Sequence, residues 1–97
     1  MFCNTCSEED IAYILEQDFQ PEPVCVVTEK MDWSNYPDIH KTYVICTLDK
    51  TLQERHQEML AGNLKIDNIY RIASDHMVMM SHPEELADVL NQAAKSF

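Results

Sequence analysis

Glycine is almost absent: Gly62 is the only one among 97 residues. Phosphate-cradling loops, dinucleotide fingerprints and the G-x-S-x-G nucleophile elbow each spend glycines on tight turns and close backbone approach, so none of them can be built from these residues. Basic residues are also scarce. Seven Lys and Arg stand against 17 Asp and Glu, a formal net charge of −10. Nucleic acid is therefore not an expected partner, because neutralising phosphates takes clustered cations, and an anionic membrane surface is disfavoured for the same reason. No apolar run approaches the roughly 18 residues of a membrane-spanning helix. The opening MFCNTCSEED lacks the basic and apolar regions of a secretory signal. A cytosolic location is expected, with the four cysteines as reduced thiols. A second C-x-x-C or a close His pair is missing as well. Cys3 and Cys6 form the one C-x-x-C, and His40, His56, His76 and His82 are scattered, so no metal or other cofactor is expected.

What is present is enough for one small domain. Hydrophobic residues make up 45% of the chain, which argues against global disorder. Ser7-Glu8-Glu9-Asp10 predicts a helix over 8–17 with Ser7 as its cap, and the prolines at 21 and 23 end it. The β-branched run Val24-Cys25-Val26-Val27 reads as a short strand with Cys25 buried in it. Residues 29–41 are irregular, an ordered loop around Trp33, Tyr36 and Pro37. Thr42 to Thr47 is continuous and apolar, as in a parallel strand, with Cys46 buried inside. Leu52 to Ala61 reads as a helix with Leu52, His56, Met59 and Leu60 on one stripe and Gly62 past its end as the cap. Asn68 to Ile72 is a further strand. Ser81-His82-Pro83-Glu84 reads as a capping box opening a last helix to about Ser96, with Leu86, Val89, Leu90 and Ala93 as its stripe.

From Thr42 onward the order is βαβα, so the expected class is α/β, with two to three mostly parallel strands and flanking helices. Two long helices cannot cover both faces of a parallel sheet. The sheet is therefore expected to be incomplete, with further strands upstream in a longer protein or on a partner chain.

Two polar residues stand just past the carboxyl ends of the strands, where open parallel sheets place their sites: Asp49 and His76. If the strands are neighbours, both side chains emerge on one edge. An Asp that accepts from His Nδ1–H fixes the tautomer and leaves Nε2 as a general base. The plainer readings stay open at this point, Asp49 as a helix cap and His76 as a solvated loop side chain.

The segments Tyr43-Val44-Ile45-Cys46-Thr47-Leu48-Asp49-Lys50-Thr51-Leu52 and Asp75-His76-Met77-Val78-Met79-Met80-Ser81-His82-Pro83-Glu84-Glu85-Leu86 resemble the C-terminal part of α/β hydrolases. The branch they are most similar to is that of plant-type methyl esterases and hydroxynitrile lyases, with their bacterial esterase relatives. Upstream, Phe2 to Asp10 and Gln20 to Pro23 resemble the end of that branch's cap region. The resemblance implies a division into residues 1–41, the end of the cap and a connecting loop, and residues 42–97, the C-terminal βαβα segment of the core. It implies Asp49 as the acid and His76 as the base of a Ser-His-Asp triad, with Met77 and Met79 near the substrate pocket. The family's serine and oxyanion-hole loop belong to a part of the fold outside these residues. Ser7, Ser34, Ser74, Ser81 and Ser96 have no glycine-flanked elbow.

The expected function is the C-terminal fragment of a serine carboxylic-ester hydrolase, inactive alone, whose substrate in the complete enzyme is a small-molecule ester. Its partner would be the missing N-terminal half, or a second copy joined through an exposed sheet edge. Two other readings stand beside it: a non-catalytic α/β interaction module, and a small metal or redox protein built on Cys3 and Cys6.

Overall fold

The computed structural model describes residues 2–32 and 34–96, with the backbone alone for Val27. The anchoring role expected of Trp33 lies outside the described residues. The chain opens with α1 (Glu8–Leu15), capped by Ser7, whose Oγ accepts the Asp10 N–H at 3.1 Å. A short helix α2 (Cys25–Thr28) follows, where the sequence predicts a strand. Among the described residues the β-branched run has no neighbouring strand to pair with, and Thr28 N–H bonds to Val24 C=O and Glu29 N–H to Cys25 C=O instead. A propensity for extended backbone is a preference for packing on a sheet, and without the sheet it is overridden. Cys25 is accordingly exposed rather than buried.

The centre is a pair of parallel strands, β1 (Thr42–Cys46) and β2 (Asn68–Ile72), joined through α3 (Glu54–Asn63). Cys46 lies opposite Ile72 and Thr42 opposite Asn68. At the amino ends Lys41 N–H donates to Asp67 Oδ2 at 2.7 Å, while Asp67 and Asn68 N–H return to Lys41 C=O. At the carboxyl ends the pairing continues past the strands, from Thr47 N–H to Ile72 C=O and from Leu48 N–H to Ser74 C=O. Both chain ends that leave the sheet are thus held side by side. This is an incomplete α/β sheet, as expected.

Helix α3 packs on β1 and the last helix, α5 (Pro83–Lys95), on β2, with the single turn α4 (Val78–Ser81) between β2 and α5. The stripe expected on α3 is corrected: His56, Met59 and Leu60 are exposed, and Gln57 and Ala61 face inward. Gln57 does what a third strand would do. Its Oε1 accepts Cys46 N–H, and its Nε2 donates to Cys46 C=O, both at 2.9 Å, so the edge of β1 ends on a side-chain amide. Gly62 lies inside α3, and Lys65, with φ 55°, takes the left-handed position past its end. The capping box expected at Ser81 does not form either. His82 is the cap of α5, without a side-chain bond to the helix N–H groups, and Ser81 turns toward Asp75. Pro83 does occupy the first turn.

Among the described residues the buried apolar ones are Ile45, Cys46, Ala61, Ile72 and Ala93, a thin core around one end of the sheet. Burial, with the Asp49 and Asp75 carboxylates adding to it, pushes the Cys46 thiol up, which suits a packed residue rather than a nucleophile.

Candidate active site

Parallel pairing places the residues after β1 and β2 on one edge. Asp49 turns back there, with its N–H on Cys46 C=O. Its side chain is 4% exposed. Oδ1 accepts the N–H groups of Thr51 at 2.8 Å and Leu52 at 3.0 Å. Oδ2 lies 2.8 Å from His76 Nδ1. The plain and the chemical reading of Asp49 therefore hold together: one oxygen orders the turn before α3 and the other faces the imidazole. Burial raises the carboxyl's pKa. The N–H of Leu52, His76 and the N–H of Thr51 outweigh it, and Asp49 is held below the usual carboxylate range. An ionised Asp49 accepts from Nδ1–H, which leaves Nε2 as the basic nitrogen.

His76 is half-exposed, its side chain open by 40%. The Phe2 ring meets it edge-on with centroids 5.2 Å apart. A cavity of about 350 Å³ opens beside it, lined by Phe2, Cys3, Ile14, Phe19, His76 and Met77. Met77 is thus a wall of the cavity. Met79 sits on α4 with 54% of its surface exposed and is not among those walls.

Asp75 is the organising residue that the sequence did not single out. It is fully buried. Oδ1 accepts Met77 N–H at 3.0 Å and Ser81 Oγ–H at 2.9 Å; Oδ2 accepts Thr5 N–H at 2.9 Å and Cys6 Sγ–H at 3.3 Å. Its own N–H donates to Thr5 Oγ1. Burial opposes its charge, but the bonds from Thr5, Ser81 and Cys6 outweigh that and hold its carboxyl below the usual range. Asp75 thereby fixes the backbone on both sides of His76 and ties residues 2–6 to the site. Asn4 Nδ2 donates to Leu48 C=O at 2.8 Å and Met77 N–H to Phe2 C=O at 3.3 Å, completing the strap. Ser74, two residues before His76, is fully buried and bonded to Asp75 C=O and Ser81, so it cannot act as a nucleophile. The signal for Asp75 was its place beside His76; two of its four partners, Thr5 and Cys6, lie about seventy positions upstream.

No family model matches the chain. Similar curated proteins do exist. An alpha-hydroxynitrile lyase of Arabidopsis thaliana is 30% identical over 70 residues, 71% of this chain and 27% of that protein. Esterase PIR7B of Oryza sativa subsp. japonica is 31% identical over 80 residues, 81% of this chain and 30% of that protein. Methylesterase 9 of Arabidopsis thaliana is 30% identical over 71 residues, 72% and 28% respectively. The chain therefore spans between a quarter and a third of the length of these relatives.

Proposed function

We propose that the chain is the C-terminal part of a serine carboxylic-ester hydrolase of the α/β-hydrolase family, the reading that its similarity to plant esterases and a hydroxynitrile lyase supports, and that it provides Asp49 and His76 to a Ser-His-Asp triad. The observation that carries this reading is the 2.8 Å contact between buried Asp49 Oδ2 and His76 Nδ1 at the carboxyl edge of two parallel strands. The serine and the oxyanion donors come from the remainder of the fold. Serine attacks the ester carbonyl while His76 Nε2 takes its proton. Asp49 holds the imidazole in the required tautomer and stabilises the imidazolium. His76 then protonates the departing alkoxide, and water, activated in the same way, releases the acid from the acyl-enzyme. The cavity beside His76, walled by Phe2, Ile14, Phe19 and Met77, suits an apolar acyl or alcohol group of a small ester. Residues 1–41 are the end of the cap region and its connecting loop in this reading, and residues 42–97 belong to the core. Among the described residues no helix is long and apolar enough to cross a membrane. The four thiols, none in a disulfide, support a cytosolic site of action.

The test is to join this chain to the N-terminal portion of the rice esterase that it resembles and to follow hydrolysis of a chromogenic ester. His76→Ala should lower kcat by about 10⁶-fold and Asp49→Asn by about 10⁴-fold, the scale on which such triads depend on their base and its tautomer. Full activity in the His76→Ala fusion would remove His76 from the mechanism.

A further inference from the structure

The strap that holds His76 in place is built from an unusual set of groups. Cys3 Sγ, Cys6 Sγ and an Asp75 carboxylate oxygen all lie within 4.8 Å of one another. The two cysteines are carried on one turn, closed by Cys6 N–H on Cys3 C=O at 3.1 Å. The carboxylate is fixed from behind by the N–H groups of Thr5 and Met77 and by Ser81. Cys6 Sγ and Asp75 Oδ2 are 3.3 Å apart. In a tetrahedral zinc site, with Zn–S about 2.3 Å and Zn–O about 2.0 Å, the sulfur and oxygen stand roughly 3.5 Å apart. The Cys6–Asp75 pair therefore already has nearly the spacing a metal would impose, and Cys3 Sγ lies within 4.8 Å of both.

We infer that Cys3, Cys6 and Asp75 form a binding site for a thiophilic divalent cation, zinc in particular, with water as the fourth ligand. Binding exchanges the two S–H protons, released to solvent, for two metal–sulfur bonds, while Asp75 is already ionised. Two thiolates select zinc or cadmium over magnesium or calcium, which require oxygen ligands. Without a cation the spot is electrostatically unfavourable for thiolate. Burial, Cys3 and Asp75 push the Cys6 thiol up to about 12. A bound dication would turn the same crowding of donors into attraction. Its consequence would be mechanical: residues 2–6 would be locked onto the loop that carries His76. The site uses neither Asp49 nor His76 and does not depend on the proposed esterase activity.

The experiment uses the chain itself, reduced and freed of metal. Zinc should slow alkylation of Cys3 and Cys6, read residue by residue by mass spectrometry, by on the order of tenfold or more, since a metal-bound thiolate is a poor nucleophile. It should leave the exposed Cys25 unaffected. Cadmium should add one thiolate charge-transfer band per chain at saturation. That band should vanish in Cys3→Ser and persist in Cys25→Ser and His76→Ala. The proposal fails if zinc leaves the alkylation of Cys3 and Cys6 unchanged, if Cys25 is protected equally, or if the band survives Cys3→Ser. It also fails if the pair oxidises to a disulfide in the presence of zinc.

Discussion

Among the described residues Asp75 and Asp49 are the two side-chain carboxylates removed from water, and their surroundings assign them different work. Asp75 receives four donors and does not line the cavity. Asp49 divides its oxygens between a turn and His76. Both have a folded pKa lowered from the ordinary 3.8. A lowered pKa contributes stability that is present above the unfolded value and is lost as pH falls through the folded one. The chain should therefore hold its structure down to about pH 4 and lose it progressively below, where the ordinary carboxylate range ends. Asp75→Asn should flatten that acid limb. It should also cost about 3 kcal/mol near neutral pH, because an amide cannot accept from four donors and would leave buried groups unpaired. Acid unfolding followed by far-ultraviolet dichroism checks both; an unchanged acid midpoint in Asp75→Asn would remove Asp75 as its cause. Asp49 and His76 were legible from sequence because they follow two predicted strands, and parallel strands bring their carboxyl ends together. Asp75 was not, because its hydrogen-bond partners Thr5 and Cys6 are remote along the chain and no local pattern encodes them.

At the scale of elements, the end of α3 shows which local rules held and which were displaced. Lys65 N–H bonds to Gly62 C=O and Ile66 N–H to Ala61 C=O, the two crossed bonds that close a helix through a left-handed residue. That residue is usually glycine, and here it is Lys65 with φ 55°. The chain's single glycine sits three positions too early, inside the helix, where an added Cβ would meet nothing within 4 Å. Each placement costs stability. Gly62→Ala should stabilise the fold by about 1 kcal/mol, and Lys65→Gly should add roughly 1 kcal/mol by relieving the left-handed strain of a side-chain-bearing residue. Urea unfolding of the single and double variants measures this. Additivity is expected to be incomplete, because the two residues share a hydrogen bond. A destabilised Gly62→Ala would mean that the helix ends before residue 62. The same rule explains what sequence could and could not place here. Ser7 and Pro83 act through their own turn and were read correctly. Gly62 and Ser81 carry the right residue types for caps, but α3 runs one residue past Gly62 and the Ser81 hydroxyl is bonded to Asp75. In α2 a strand-forming composition yields to the absence of any strand to pair with.

At the scale of the whole molecule, surface and charge pull in opposite directions. The radius of gyration is 15.5 Å, where a compact domain of this length would have about 12.5 Å. Among the described residues, Leu15, Phe19, Val24, Val26 and Met31 are exposed by more than 60%. The order β1, α3, β2, α5 was legible from periodicity, while the single turn α4 falls where the sequence predicts a loop. The thinness of the core was legible only as a deficit, two long helices being too few to cover both faces of a parallel sheet. So much uncovered apolar surface favours association with whatever completes the sheet. The net charge of −10 opposes a second copy of the same chain as that partner. Salt separates the two forces, since it screens exposed charges within roughly a Debye length of 10 Å at 0.1 M and leaves apolar contact intact. The isolated chain should therefore elute near its 11.3 kDa monomer mass at low ionic strength and shift to larger species as salt rises. The N-terminal portion of an esterase relative, added in trans, should draw it into a one-to-one complex at either ionic strength. Size-exclusion chromatography with light scattering reads all three states. A compact monomer indifferent to salt and to the added portion would show that the exposed residues are ordinary surface. It would also refute the view that this chain needs the rest of a hydrolase fold to finish its sheet.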